Sequence, residues 1–368
     1  MADVSHISTV VKQAASDAGF ELSGIAPVDD FPELERFSEW IEAGHAAEMK
    51  YLEARDHNGS LKRASLKTAV PWARSVIVCA INYNTAQPYS TEVQDAERGW
   101  ISRYAWAQED YHDGVLRRLR VVESQLKQAA GDVRTWCYVD TGPLVERVYA
   151  RYAGIGWTGK NTCTINQKMG SWLFLGVILT SLELTADFPA PDRCGTCMRC
   201  IEACPTDALI APYQLDSNRC IAYLTIEKRG SIAEELRERM GRHLYGCDIC
   251  QDVCPWNRRA PATTTPEFQP REGLFNPALA WIAKMTTDEF RTLFRGSPVK
   301  RAKLAGLKRN ALIAIGNSGD ERLIPMVEEL LQSDDPVLAE TAEWTLNRLQ
   351  ASHETLDSDF FGNEGRKL

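Results

Sequence analysis

Residues 194–205 read CGTCMRCIEACP, four cysteines within eleven residues that close on Cys204–Pro205. Further on, residues 247–255 read CDICQDVCP and repeat the end of that pattern without its first cysteine. The first run is C-x2-C-x2-C-x3-C-P. This is the bacterial ferredoxin spacing for [4Fe–4S] clusters, in which the fourth cysteine ligates the other cluster. Three closely spaced thiolates wrap three corners of one cube. The fourth, at the start of a short helix, points away to a second cube.

The crossing rule then assigns ligands. Cys194, Cys197 and Cys200 take Cys254 as the fourth ligand of one cluster. Cys204, Cys247 and Cys250 lack one ligand for the other, and Cys220, in SNRCIAYL between the runs, is the cysteine left to supply it. The alternative is zinc, which CxxC pairs bind often. Eight cysteines with two Cys-Pro endings favour two iron–sulfur clusters. Cys79, Cys137 and Cys163 fall on expected apolar strands and read as buried small hydrophobes.

Composition bounds the rest. The chain has 368 residues, 44% of them hydrophobic and 25% charged, with 42 Lys plus Arg against 50 Asp plus Glu for a net charge of -8. That supports sizeable cores and argues against a positively charged coat, though not against a local basic patch. The N-terminus lacks the basic start and apolar run of a signal peptide. The longest apolar run, Trp172 to Leu179, is too short to span a bilayer. A cytosolic, non-membrane protein is expected, and there thiols stay reduced, so cysteine spacing points to metal rather than disulfides.

Apolar periodicity organises the chain as a mixed α/β (α+β) protein. Residues 7–18 read as a helix ending at Gly19, and Phe20–Ile25 as a strand. SVIVCAI (75–81) has the β-branched character of a buried strand, 111–129 that of a helix, and 135–139 that of another buried strand. Pro143 is expected to open a helix running to about Ala153. Residues 162–165 and 172–181, joined by the turn at 168–170, look like a hairpin. A Pro/Thr-rich linker, 259–271, closes the cysteine segment. RNALIAIGNSGD (309–320) and AETAEWTLNRL (339–349) resemble units of a HEAT-type helical repeat, too few to stand alone as a solenoid. The expected domains are 1–185, an α/β domain; 186–258, a ferredoxin-like two-cluster domain; and 259–352, a HEAT-like helical domain. Residues 353–368 read as a flexible tail.

Two clusters carry electrons one at a time without naming a reaction. The glycines of GIGWTGKN (154–161) form neither a Walker loop nor a G-x-G-x-x-G fingerprint. VDTGPLVER (139–147), AGIGWTGKN (153–161), the double cysteine block, and GSPVKR (296–301) with GLKRNA (306–311) resemble, in order and over nearly the whole chain, the epoxyqueuosine reductase family. The resemblance implies cobalamin and two [4Fe–4S] clusters. It implies reduction of the epoxide of epoxyqueuosine at the wobble position of a tRNA anticodon, the last step in forming queuosine. It makes Asp140 the proton donor, which also faces the cofactor. It places Arg63, Arg103, Tyr104, Lys160, Asn161 and Thr164 around the corrinoid.

Chemistry supports an acid at Asp140, because the opening epoxide oxygen needs a proton. The end of a buried strand would raise its pKa toward a useful range. The competing role for Asp140 is a helix N-cap just before Pro143. The corrinoid signature D-x-H-x-x-G is absent, and DYHDG (110–114), one residue short of it, reads as coincidence. Ala64 replaces the proline that usually follows the family arginine matched by Arg63, and the loop after Arg103 is one residue longer.

Arg291, Arg295, Lys300, Arg301, Lys303, Lys308 and Arg309 fall in a stretch without an acid. On an acidic chain this local inversion of sign suits the phosphates of an anticodon stem-loop. The expected partners are therefore tRNA and an external electron donor, with the protein itself a monomer. Two readings compete. One is a corrinoid iron–sulfur reductase of a small molecule, like reductive dehalogenases, which leaves the basic run without a purpose. The other is a two-cluster electron carrier, which leaves 1–185 without one.

Overall fold

The computed structural model describes residues 4–361, with side chains through 351. The chain divides into two compact units, each assembled from separate stretches. One holds residues 1–87, 107–218 and 249–270, the other 88–106, 219–248 and 271–368. The units thus interleave along the chain instead of following the expected segments end to end. The cysteine block 186–258 contributes to both.

The first unit is built on strands β1 (Leu22–Pro27), β2 (Ser75–Asn82), β3 (Thr135–Tyr138), β4 (Trp157–Thr158), β5 (Thr164–Ile165) and β6 (Leu173–Thr180). The main sheet runs in the order β1-β2-β6-β3, and every pairing in it is antiparallel. All eight residues of β2 are buried, which is why its sequence runs apolar without alternation. Helices α1 (Val4–Asp17), α2 (Tyr111–Ala130) and α3 (Glu146–Tyr152) pack on the sheet. One face packs Val76, Val78, Val177 and Leu179 against Val148, Tyr149 and Ala150 of α3. The other receives α2. A Cβ on Gly176 of β6 would lie 2.8 Å from Leu119 and Val115, so glycine there lets α2 approach closely.

Three expectations need correction here. The segment 162–181 is not a hairpin, because β5 pairs with β4 while β6 pairs with β2 and β3. The turn survives as an isolated bridge between Asn166 and Gly170. Pro143 does not open a helix. The chain bends through 142–144, and α3 starts at Glu146 after an extended Val145. Strand β3 is not buried, since it forms a sheet edge and leaves Trp136 exposed.

The second unit is mostly helical. Its core joins Trp100, Trp106, Leu244 and Tyr245 to apolar residues of α4 (Leu279–Lys284), α5 (Lys303–Ser318), α6 (Ile324–Leu330) and α7 (Pro336–Phe361). Helix α5 packs on α4 and α7, and α6 on α7, so the two repeat-like stretches lie side by side. Helix α7 continues to Phe361, through half of the segment expected to be a tail, and residues 362–368 lie outside the described residues. Among the described residues no helix is long and apolar enough to cross a membrane.

Candidate active site and cluster cavity

The β4–β5 hairpin turns through Gly159–Cys163. The Gly159 amide donates to the Cys163 carbonyl at 2.8 Å, and Thr162 takes a positive φ of 64°. A Cβ on Gly159 would meet Ile165 at 2.4 Å and the Asn161 side chain at 2.7 Å, so the turn needs glycine. Lys160 and Asn161 sit at its tip and line one cavity with Cys194, Cys197, Cys200 and Cys254. Trp157, Ile165 and Cys254 are buried together, with Cys194 and Trp256 packed against them.

These four cysteines are the set expected for one cluster, and Cys254 has crossed from the second run to join the first. Burial pushes the Cys254 thiol up to about 11. Cys200 is also raised, by burial first and then by neighbouring Cys194. Thiols in such a place become thiolates when a cationic metal compensates the charge. Among the described residues no three His, Cys, Asp or Glu converge closely enough to hold a single metal ion. Four cysteines around one cavity, walled by Trp157 and Ile165, are the donor set that a [4Fe–4S] cube needs.

Cys204 does not line this cavity. Its sulfur accepts the Ala208 amide at 3.3 Å and lies 3.7 Å from the Thr206 hydroxyl. Of the ligands expected for the second cluster, Cys204 and Cys250 belong to the first unit, Cys220 and Cys247 to the second. Cys220 stands at the N-cap of the helix Ile221–Ile226. Of the remaining cysteines only Cys79 is fully buried on a strand. Cys137 is half-buried on the edge strand, and Cys163 is a half-buried turn residue.

Asp140 follows the edge strand β3 and is no helix cap, because α3 begins six residues later. Its carboxyl is half-exposed and not buried. Its backbone holds a positive φ of 57°, a costly conformation for a residue with a side chain. The Tyr111 hydroxyl donates to Oδ2 of Asp140, and His112 Nε2 lies 3.8 Å from the same oxygen. His112 Nδ1 meets Asp110 Oδ1 at 2.7 Å, and Asp110 also caps α2 by accepting the His112 amide. The Tyr111 ring stacks on Phe174 of β6 at 4.2 Å. Tyr111 and His112 of the DYH stretch thus lie against the Asp140 carboxyl, with Asp110 behind the imidazole.

Burial works against the His112 imidazolium, but the carboxylates of Asp110 and then Asp140 outweigh it and raise its pKa. Glu146, within VDTGPLVER, went unnoticed in the sequence. Its Oε1 is closed off and has no hydrogen-bond partner. Burial first, and the charge of Asp140 second, raise its pKa to about 7.

A family model described as "Epoxyqueuosine reductase QueG, DUF1730" matches residues 63–141, and one described as "4Fe-4S double cluster binding domain" matches 193–257. An epoxyqueuosine reductase of Synechocystis is 43% identical over 293 residues, covering 78% of this chain and 98% of its own. That of Pseudomonas aeruginosa is 36% identical over 352 residues, covering 94% and 95%. The chain belongs to the epoxyqueuosine reductase family. A crystal structure of an epoxyqueuosine reductase with an epoxyqueuosine-modified tRNA stem loop superposes with a TM-score of 0.86 at 30% identity, covering 100% of this chain and 96% of that one. Another, from Bacillus subtilis, is described with its catalytic aspartate loop swung out of the active site, and has a TM-score of 0.84 at 30% identity over 99% and 96%.

The positions matched to the corrinoid of epoxyqueuosine reductases are occupied in different ways. Thr164 is buried, and its hydroxyl has no hydrogen-bond partner, which suits a bound polar group. Arg63 donates to the Tyr51 carbonyl at 3.0 Å. In the second unit, Arg103 is only 2% exposed. Its guanidinium donates to the Pro88 carbonyl at 2.9 Å and lies over the rings of Tyr89 and Trp106. Tyr104 donates to the Tyr245 hydroxyl at 3.1 Å. Lys160 and Asn161 are turned to the cysteine loops.

The basic run in the second unit also divides. Arg291, Arg295, Lys300, Arg301 and Lys303 are exposed, and Lys308 is half-buried. Arg301 pairs with Glu227, and Arg291 lies 3.6 Å from Asp288. Arg309 is a correction: it is 2% exposed. It donates to the carbonyls of Leu224 at 2.7 Å, Gly230 at 2.7 Å and Lys228 at 3.0 Å, and so belongs to the core.

Proposed function

We propose that this protein reduces the epoxide of epoxyqueuosine to the alkene of queuosine at the wobble position of tRNA. The cavity lined by four cysteines, within a family of that activity, carries the reading. The overall change takes two electrons and two protons and expels water. Two [4Fe–4S] clusters, held by the eight cysteines named above, would supply single-electron transfer from an external donor. Cobalamin, when bound, supplies a strongly reducing metal centre. Thr164 is the side chain most open to hold it.

The protein's own part is acid chemistry and positioning. Asp140 gives its proton to the opening epoxide oxygen. Tyr111 fixes the carboxyl by its hydrogen bond, and His112 beside it offers a route for reprotonation. The strained backbone at Asp140 is the local cost of presenting the acid on an open sheet edge. The exposed part of the basic run, Arg291 to Lys303, positions the anticodon stem-loop through its phosphates. A tRNA substrate implies a cytoplasmic location.

The test is direct. Anaerobic protein with clusters and cobalamin loaded is mixed with epoxyqueuosine-containing tRNA and a reductant, and the nucleosides are digested and weighed. Conversion to queuosine is expected. Fully loaded protein that leaves the nucleoside unchanged overturns the reading.

A further inference from the structure

Lys160 is a basic residue that is only 8% exposed. Its ammonium donates to the carbonyls of Gly195 at 2.7 Å and Cys197 at 3.0 Å, and lies 3.6 Å from the Met198 sulfur. All three belong to the loop bearing the first ligands of the cluster. Among the described residues no carboxylate lies within ion-pair distance of it. An ammonium shut away from water needs a counter-charge, or its burial is costly. The missing negative charge is what the cavity beside it is built to hold: four thiolates around one cube.

The neighbouring contacts fix this arrangement from both sides. The Lys160 carbonyl accepts the Tyr213 amide at 3.1 Å. Asn161 donates to the Cys250 carbonyl at 3.1 Å and accepts the Cys163 amide at 3.2 Å. The hairpin tip is thereby tied to both cysteine runs, and Lys160 has little freedom to turn elsewhere.

We propose that Lys160 sets the reduction potential of the cluster held by Cys194, Cys197, Cys200 and Cys254. Each electron the cluster accepts adds one negative charge. A fixed positive charge nearby favours the reduced form, and little water intervenes to screen it. Lys160 is thus a positioning and tuning residue of the iron–sulfur site rather than a contact of the corrinoid. The inference rests on the two-cluster reading above.

The experiment is an anaerobic redox titration of the reconstituted full chain, followed by electron paramagnetic resonance, with iron content measured alongside. Wild-type protein without two cluster signals defeats the two-cluster reading itself. Given both signals, Lys160→Met should move one midpoint to a more negative potential and leave the other in place. Lys160→Arg, which keeps the charge, should hold the wild-type value. Should Lys160→Met lose iron, Lys160→Gln, which can still donate to the loop carbonyls, takes its place with the same expected shift. Midpoints that stay unmoved in the neutral variant with full iron overturn the proposal. So does weakened cobalamin binding with unmoved midpoints, which returns Lys160 to the corrinoid.

Discussion

The hydroxyl of Tyr111 donates a hydrogen bond to Oδ2 of Asp140, joining the first turn of α2 to the end of the edge strand β3. Phe174 on the neighbouring strand stacks on the tyrosine ring and holds it there. The acid is thus aimed by a side chain whose own place is set by the sheet. Asp140→Asn keeps the shape and tolerates the positive φ, but has no carboxylic proton. Clusters and cobalamin should bind normally while turnover falls by about 10²-fold or more, the usual scale for a lost general acid. Near-normal turnover would remove Asp140 from the chemistry. Tyr111→Phe should cost less, roughly fivefold in kcat with tRNA affinity unchanged, since one hydrogen bond is worth about 1 kcal/mol.

The cluster assignment predicts iron. Anaerobically purified protein should carry about eight irons per chain, from two four-iron cubes. Cys254→Ala should abolish one cluster signal and spare the other, although Cys254 lies in the second cysteine run. Loss of both signals with intact folding, or stoichiometric zinc in the wild type, would sink the crossing arrangement.

Much of this was legible because of how strongly some patterns specify structure. SVIVCAI runs apolar without a break because β2 is buried on both faces, and only a central strand needs that. The cysteine spacing is legible because a cube dictates its ligands. The partners of β6 were not, since a strand's periodicity marks its faces and not its neighbour. β6 pairs with strands distant in sequence, so the nearer β5 was a false partner. Nor was the role of DYH. Tyr111 and Asp140 are far apart in the chain, and only the packing of α2 on the sheet brings them together. Arg309 misled because a charge pattern records sign and not depth.

His112 supplies a pH dependence. Its pKa should lie above 6.5, because Asp110 and Asp140 outweigh the opposing effect of burial. The charged ring then stabilises the fold fully below 6.5, and that stabilisation disappears as pH rises through the raised value. In Asp110→Asn, which can still cap α2, the His112 midpoint measured by NMR should fall. The variant should be less stable than wild type in acid and indistinguishable above the wild-type midpoint. A midpoint unchanged by the substitution would show that Asp110 does not hold the proton on the ring.

Glu146 predicts a trend of the same sign, from a buried acid instead of a base. An acid with a pKa near 4.5 unfolded and about 7 folded binds more protons when folded across that window. Stability is therefore lost as pH rises from 4.5 to 7. Glu146→Gln removes the buried charge. It should match wild type at pH 4 and be more stable above pH 7, by roughly 1–3 kcal/mol at about 1.4 kcal/mol per pKa unit. Denaturation at the two pH values decides it. A variant less stable at both would mean that the carboxylate has an unseen partner.

The basic surface gives the last prediction, and Arg309 sharpens it. Arg295, Lys300 and Lys303 have exposed side chains, whereas the Arg309 guanidinium is enclosed by backbone carbonyls. Replacing Arg295, Lys300 and Lys303 with Gln should leave the fold and both clusters intact. It should weaken binding of all tRNAs alike, because phosphate contacts carry no sequence information. The salt dependence of binding should flatten by up to roughly 0.7–0.9 in log–log slope for each phosphate that is no longer neutralised. Turnover at saturating tRNA should change less than affinity, since these contacts form before the chemical step and persist through it. Arg309→Ala should do the reverse. It orphans three carbonyls and removes a buried side chain, costing about 3 kcal/mol of stability with little direct effect on the salt slope. Unchanged tRNA affinity in the triple variant at physiological salt would move the dock elsewhere. It would also leave this acidic chain with a basic surface that has no ligand.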